Sequence, residues 1–562
     1  MKFKRLFALT LACAMTALFA SCGRTDPPSG GQSESVNTSG TTVLKVASYA
    51  GGYGSEWLAA VKARFEKEYA ETSFESGKKG VYIQIDDAKS NGVALLGTDV
   101  KASDTAVFFN ELIDYDQFIA QGYALDLTET LNEKLPGENK SILDKFSADQ
   151  KKYLERSGKY YMVPHYAGFN GITIDEDLFN EKKLFMDVNG NFTKTSKDEG
   201  LSKGPDGKAK TYDDGLPATL DDFYKLMATM TQRTVIPFIW SADNQFYATR
   251  VAEAYAADVN GAANTKAGYS FSGTLDNLVK SVSADGTVTL ESAELTNANG
   301  YEVVRQEGYY YSLDMIEHIV DGGYYHPEYC YDGGTQLETQ KRFLQSNSAL
   351  AASAGGKPIA MLMDGCWWEG EATPTFTAME KQNTADKKYG KKDRNFRFIP
   401  FPKATDEKVG EGVTLLETLR AYVFVNANLE NDADMKRLAT LFVRYCNTDV
   451  SLREFTEITS ATKALEYEMD SASLANCTTL CKSVLEMKNA EGTTVVYPLS
   501  DSTLFKATVS SHTNGRRYQN AKGVDPTSVL KNDKAYTALE YFNGMSSYLS
   551  TDWATKYAQY IK

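Results

Sequence analysis

The sequence predicts an α/β fold, in two to four domains or in one large bilobed body. Three observations predict it. The N-terminal part alternates strand and helix patterns. The chain is long, at 562 residues, yet shows no internal repeat. Its hydrophobic content of 42% and charged content of 24% are those of a globular protein.

The elements follow in order. Leu44-Lys45-Val46-Ala47 is a short first strand, and Ala50 to Gly54 a glycine-rich turn. Glu56 to Tyr69 has helical periodicity, with Trp57, Ala60, Val61 and Phe65 on one side. Val81 to Ile85 alternates as a strand. Asp104 to Phe109 is another strand, with Asn110 and Glu111 at its carboxyl end. In α/β sheets ligands gather beyond the carboxyl ends of strands. Gly158 to Pro164 reads as a hairpin or crossing strand. Residues 187–217 form a turn-dense insertion, and Thr219 caps a helix. A second insertion spans 268–348. Pro358 to Met363 is a buried strand ending at Asp364-Gly365-Cys366-Trp367-Trp368, and Arg397 to Pro402 is an extended strand bounded by prolines. The C-terminal third is mainly helical.

Residues 1–21 read as a secretory signal. Lys2, Lys4 and Arg5 precede a short apolar run from Leu6 to Phe19, and small residues follow. No other stretch approaches the length of a spanning helix. Leu18 to Cys22 resembles a bacterial lipobox, with Phe19 where Leu is commonest. That makes Cys22 the lipidation candidate. Residues 22–42, rich in Ser, Gly, Pro and Thr, form a flexible tether.

The net charge of −14 argues against a nucleic-acid partner, because a phosphate backbone needs a basic face. Losing the signal removes three positive charges, so membrane attachment rests on acyl chains rather than on a basic patch. The chain has 7 Cys, of which 330, 366, 446, 477 and 481 remain beyond the lipidation candidate. Cys477 and Cys481 stand four apart, on one face if helical. His165, His318, His326 and His512 are scattered and no Cys-x-x-Cys pair occurs, so no metal site is expected. Asp187 to Asn191 starts like a calcium loop. Phe192, Lys194 and Lys197 break that pattern, and an Asx-rich turn fits the segment. No nucleophile elbow, Walker A loop, dinucleotide fingerprint or His-Glu-x-x-His motif is present, and no cofactor is implied. The chain holds 34 Tyr, 27 Phe and 5 Trp. Composition leaves open whether these rings are ordinary packing or line a ligand cleft.

The order of motifs resembles the extracellular solute-binding proteins of bacterial ABC importers, in the branch that includes maltose- and oligosaccharide-binding proteins. The matching pieces are the lipobox, FEKEY (65–69), the strand ending at Asn110-Glu111, GYALDLT (122–128), GKYYMVPHY (158–166), DEDLF (175–179), LPATLDDF (216–223), IAMLMDGCWW (359–368) and FRFIPFPKA (396–404). The resemblance implies a periplasmic-binding-protein-like type II flytrap. Lobe 1 would comprise 43–163 plus 403–458, and lobe 2 164–402 plus 459–562. Crossings would fall near Tyr161–Tyr166, near Phe398–Pro402 and around 455–465. It also implies a sugar held between the lobes by aromatic rings and hydroxyl-binding polar groups. Carried over position by position, the ligand-binding candidates are Tyr49, Tyr53, Phe108, Asn110, Glu111, Tyr166, Asn170, Trp240, Asp243 and Trp367, with Trp368 pointing into the core. The family often has Trp and Asp where this chain has Phe108 and Glu111. The implied partners are a sugar and membrane permease subunits, and the implied state is a lipid-anchored monomer that is no enzyme. A glycan-binding lipoprotein or a glycoside hydrolase is the alternative, because two carboxylates and aromatic subsites would suffice for hydrolysis.

Overall fold

The computed structural model describes residues 38–561, apart from 50, 88–96, 112, 244–246, 349–355, 418–420, 499, 501, 506–515 and 552. The signal, Cys22, His512 and most of the tether lie outside the described residues.

The chain begins with β1 (Thr42–Ser48), α1 (Glu56–Glu68), β2 (Val81–Asp86) and β3 (Val107–Asn110). α1 buries Trp57, Leu58, Val61 and Phe65. Leu58 therefore takes the place expected of Ala60 on the inner face. After α2 (Ala148–Leu154) come three short strands, β4 (Val163–Pro164), β5 (Tyr166–Ala167) and β6 (Asn170–Asp175). Then follow α3 (Leu220–Gln232), β7 (Ile236–Ile239), α4 (Tyr247–Ser270), the hairpin β8 (Gly273–Val282) and β9 (Val288–Leu295), α5 (Glu307–Asp321) and α6 (Gln336–Ser346). The rest of the chain supplies β10 (Ile359–Gly365), β11 (Phe396–Ile399), β12 (Thr414–Leu416), β13 (Tyr422–Val425), α7 (Ala433–Cys446), α8 (Asp449–Thr459), β14 (Thr462–Lys463), α9 (Thr479–Asn489), β15 (Thr494–Val496) and α10 (Ala538–Thr551).

Two main sheets define two lobes. The first runs β2-β1-β3-β13-β4 and the second β11-β6-β10-β7. The first sheet is parallel through β2, β1 and β3, and β13 joins antiparallel, far along the chain from β3. In the second sheet β6 is flanked antiparallel by β10 and β11. β6 and β10 are buried at every position, as befits strands covered on both faces.

The chain passes between the sheets three times. The first passage is between β4 and β6. The second comes later than Phe398–Pro402. Lys403 pairs with buried Asp258 of α4 at 3.1 Å, and β12 pairs with β15, so residues 403–416 stay with the second layer. The third follows α8, which packs on α1, and runs through β14, which pairs with β5. Ser460 ends α8 in the left-handed conformation (φ 62°) and turns the chain into that passage.

The two insertions are structured differently. Around 187, the Asp187 carboxylate accepts the backbone N–H groups of Asn189 and Asn191, at 2.8 and 3.0 Å, which is Asx-turn geometry. The second insertion builds a separate core. Leu275, Leu313 and Tyr309 pack there with Tyr541 and Trp553 of the C-terminal region. The five described cysteines are free and buried. Cys477 and Cys481 do not share a helix face: Cys477 follows the short helix Ser471–Asn476, and Cys481 lies in α9.

A buried cation stands at the passages. Lys463 of β14 is 1% exposed, and its ammonium lies 2.7 Å from Nδ1 of His165, between β4 and β5. The rings of Phe455 and Trp57 lie 4.4 and 5.5 Å from it. Burial pushes the Lys463 pKa down to about 7 and holds His165 well below its usual value. The unfolded chain, with a lysine pKa near ~10.4, then binds more protons than the folded chain between pH 7 and about 10. Stability should therefore rise with pH across that window, by up to ~1.4 kcal/mol per unit from this group. Lys463→Met should remove that slope in denaturant titrations at pH 7, 8 and 9. Equal slopes in variant and parent would refute the assignment.

Candidate functional site

The site is built where the first lobe's strand ends meet the end of β10. β1 runs into the Gly51–Gly54 turn, which lies against Trp367, Gly370 and Glu371 of the second lobe. A Cβ on Gly52 would stand 2.8 Å from the Trp367 ring and from the Glu371 side chain. A Cβ on Gly370 would stand 2.4 Å from the Gly52 carbonyl oxygen. Only glycine permits this approach. Gly365 is required for a related reason: the Trp367 ring folds back over it, 2.2 Å from where a Cβ would sit. The Gly-x-Trp spacing thus places an indole flat against its own strand end and at the contact between lobes.

Around this contact the carboxylates converge. Glu111 follows β3, Asp364 closes β10, and Glu371 lies one helical turn past Trp367. The Gln340 side-chain amide of α6 donates to Asp364 at 3.0 Å and to Glu371 at 2.6 Å, holding the two acids together. Burial, then Glu371, raises Asp364 well above the usual carboxylate range. Burial, then Glu371 and Glu417, pushes Glu111 up to about 8, and Arg250 of α4 opposes the rise. Glu111 is therefore protonated at neutral pH. It can donate a hydrogen bond as well as accept one.

The proton on Glu111 has a measurable sign. A carboxyl raised from ~4.3 to about 8 makes the folded state bind the extra proton between those values, so this contribution to stability falls as pH rises through the window. Glu111→Gln should raise the thermal midpoint more at pH 8 than at pH 5, read by calorimetry. An equal shift at both values would show that Glu111 is already ionised.

The expected residues divide into groups. Tyr49 and Glu111 meet at the turn: burial, then Glu111 and Glu371, raises the Tyr49 hydroxyl pKa. Tyr53 and Tyr166 pack edge to face at 4.2 Å beside the first passage. Both rings are buried, and neither hydroxyl has a hydrogen-bond partner among the described residues. Asn170 stands opposite Gly365 in the sheet, and Asn110 opposite Tyr422. Trp240 and Asp243 line an adjoining cavity of about 240 Å³ with Tyr247 and Tyr331. Asp243 and Glu371 both act on Tyr247, which ties that cavity to the carboxylates.

Phe108 goes elsewhere. It stacks on Phe424 at 4.9 Å, and Phe424 in turn packs against Phe118 inside the first lobe. It is a core residue and does not line the cleft. Trp368 is fully buried among Phe343, Phe376 and Phe396, and its indole N–H donates to Thr173 at 3.2 Å. The residues the sequence reading missed are Tyr247, Arg250, Gln340, Asp364, Glu371 and Glu417. Only Asp364 and Glu371 carried a signal, as a strand end and as the fourth residue after Trp367.

Residues 51–307 match the family model described as bacterial extracellular solute-binding protein. That segment, a little under half of the chain, is similar to bacterial extracellular solute-binding proteins. No curated protein matches it by sequence. Solved structures match across nearly its full length. The raffinose complex of the solute-binding protein RafE aligns at TM-score 0.53 and 14% identity, over 91% of this chain and 99% of that one. A chitin oligosaccharide binding protein aligns at 0.52 and 14%, over 90% and 98%. The cyclic alpha-maltosyl-1,6-maltose binding protein from Arthrobacter globiformis aligns at 0.50 and 12%, over 92% and 100%. At these identities the likeness establishes the two-lobed fold of this chain. Its matched segment carries the Gly51–Gly54 turn, Glu111 and Arg250, while Trp367 and Glu371 lie beyond it.

Proposed function

We propose that this chain is an extracellular solute-binding protein, the receptor of an ABC importer, capturing a carbohydrate between its lobes and delivering it to a membrane permease. The observation that carries the reading is the meeting of Trp367, Tyr49, Glu111, Glu371 and Asp364 at one interlobe contact. An indole face suits the apolar side of a pyranose, and carboxyl and amide groups suit its hydroxyl rim. The similar structures named for raffinose, chitin oligosaccharide and cyclic maltosyl-maltose agree with that chemistry.

In this reading the sugar first meets one lobe, and closure brings the other lobe's groups onto it. The ligand biases an existing open–closed equilibrium by its extra contacts in the closed form. The ligand-binding set is Tyr49, Tyr53, Asn110, Glu111, Tyr166, Asn170, Trp240, Asp243 and Trp367, joined by Glu371 and Gln340. Lobe 1 comprises 43–163 with the return from 417 to 458, and lobe 2 the remainder to 562. The receptor works as a monomer outside the cytoplasm, held by lipid on Cys22 and the tether, and transforms no substrate. No helix among the described residues is long and apolar enough to cross a membrane.

The test is calorimetry of the lipid-free chain with mono- and oligosaccharides, paired with small-angle scattering. A sugar that binds and reduces the radius of gyration supports the receptor reading. Absence of any binding at millimolar sugar overturns it, and release of reducing sugar would make the protein a hydrolase.

A further inference from the structure

A second cavity, of about 320 Å³, opens between the lobes away from Trp367. Three separate parts of the chain line it. α2 of the first lobe contributes Asp149 and Tyr153, the end of α4 contributes Lys266 and Tyr269, and the segment after β15 contributes Tyr497 and Ser500.

α4 reaches this place because it does not run straight. At Gly261 the backbone leaves helical geometry (φ 72°, ψ 165°), a conformation glycine adopts readily. The helix then folds back on itself. Thr265 donates to the carbonyl of Ala257 at 3.2 Å, and the Tyr269 hydroxyl donates to Glu253 at 2.9 Å. The first half of α4 thus carries Arg250 to the cleft centre, and its last turn comes back to the mouth. There the Lys266 ammonium meets Asp149 of the other lobe at 2.6 Å.

The cavity is joined to the cleft centre through Glu417 and the first passage. Glu417 accepts the Gly168 backbone N–H at 3.3 Å. It acts electrostatically on Glu111 on one side and on Tyr497 on the other. The Tyr497 hydroxyl donates to the Ala464 carbonyl at 3.3 Å, beside β14. Tyr153 lies 5.8 Å from Tyr115, which packs on Tyr422 opposite Asn110. Glu417 thus stands between the carboxylates of the interlobe contact and Tyr497 of this cavity.

We propose that this cavity is an additional glycan subsite, which receives the end unit of an oligosaccharide whose other units lie against Trp367. The proposal rests on the receptor reading above and names its substrate class as an oligosaccharide. Tyr153 and Tyr497 offer apolar ring faces, and serine hydroxyls with a half-exposed Asp149–Lys266 pair form a polar rim. The volume lies at the low end of the ~300–1,000 Å³ of small-ligand pockets, room for one terminal unit rather than a whole chain. The walls come from both lobes, so occupancy favours the closed form.

The test is calorimetry with glucose, maltose to maltopentaose, cellotriose, chitotriose and raffinose, against the parent chain, Tyr153→Ala and Lys266→Ala. Lys266 is half-exposed, so its variant keeps the fold even if Tyr153→Ala loses stability. For whichever sugar series binds, affinity should rise at least tenfold between the shortest and the longest bound member. Both variants should cancel most of that gain while the shortest member binds as in the parent. The subsite is overturned, and the receptor reading stands, if a monosaccharide binds as tightly as its oligomers. It is equally overturned if the variants leave long sugars unaffected, or if they weaken short and long sugars alike. If no sugar binds the parent chain, the receptor reading fails and takes the subsite with it.

Discussion

Trp368→Ala is expected to lower folding stability by about 3–5 kcal/mol, the range for truncating a buried tryptophan. The indole is fully buried and sits 5.0 Å from Phe396, 5.7 Å from Phe343 and 6.2 Å from Phe376. Removing it opens a cavity that these rings cannot collapse to fill, because β10, β11 and α6 are held by their own ladders and turns. It also leaves the Thr173 hydroxyl without the indole N–H it accepts. Trp368→Phe should lose much less, since a ring still fills the space. Urea unfolding of parent and variants checks both. A loss below about 1 kcal/mol for the alanine variant would mean that the site repacks, against the packing argument.

Its neighbour behaves oppositely. Trp367→Ala should weaken the bound sugar by about 1–3 kcal/mol, roughly 5- to 150-fold in Kd, with a smaller stability loss than Trp368→Ala. The Trp367 ring packs on Gly365 and faces the Gly51–Gly54 turn across the lobe contact, where the cleft can admit water after truncation. Trp367→Phe should recover part of the affinity, because stacking survives on a smaller ring. The variants are compared by calorimetry on the sugar that binds the parent most tightly. Unchanged affinity in Trp367→Ala would remove this indole from the site. One pair of adjacent tryptophans therefore gives two separable readouts, stability for one and binding for the other.

Much of the fold was legible because it rests on local rules. The α1 periodicity, the capping residue Thr219 and the Gly-x-Trp ending of β10 each announce a local conformation. Phe108 was misplaced for a definite reason. β3 is a central strand buried at all four positions, so alternation gives no sign of which ring faces core and which faces cleft. Only the arrival of β13 beside it, more than 300 residues later, sets Phe108 on Phe424. The second passage was placed too early for a similar reason. The resemblance set a crossing near Phe398–Pro402, but the Lys403–Asp258 pair keeps the chain on the second layer.

The sequence alone determined the α/β alternation, the strand ends where a ligand can gather, and the tryptophan expected there. These depend on neighbours a few residues apart. Tertiary structure alone decided which acids stand together. Asp364, Glu371, Gln340, Glu111, Glu417 and Arg250 come from both lobes and from positions hundreds of residues apart. With 74 acids in the chain, no spacing rule could select them. The raised pKa values of Glu111 and Asp364 arise from burial and from neighbouring carboxylates, and neither cause exists until the chain is folded.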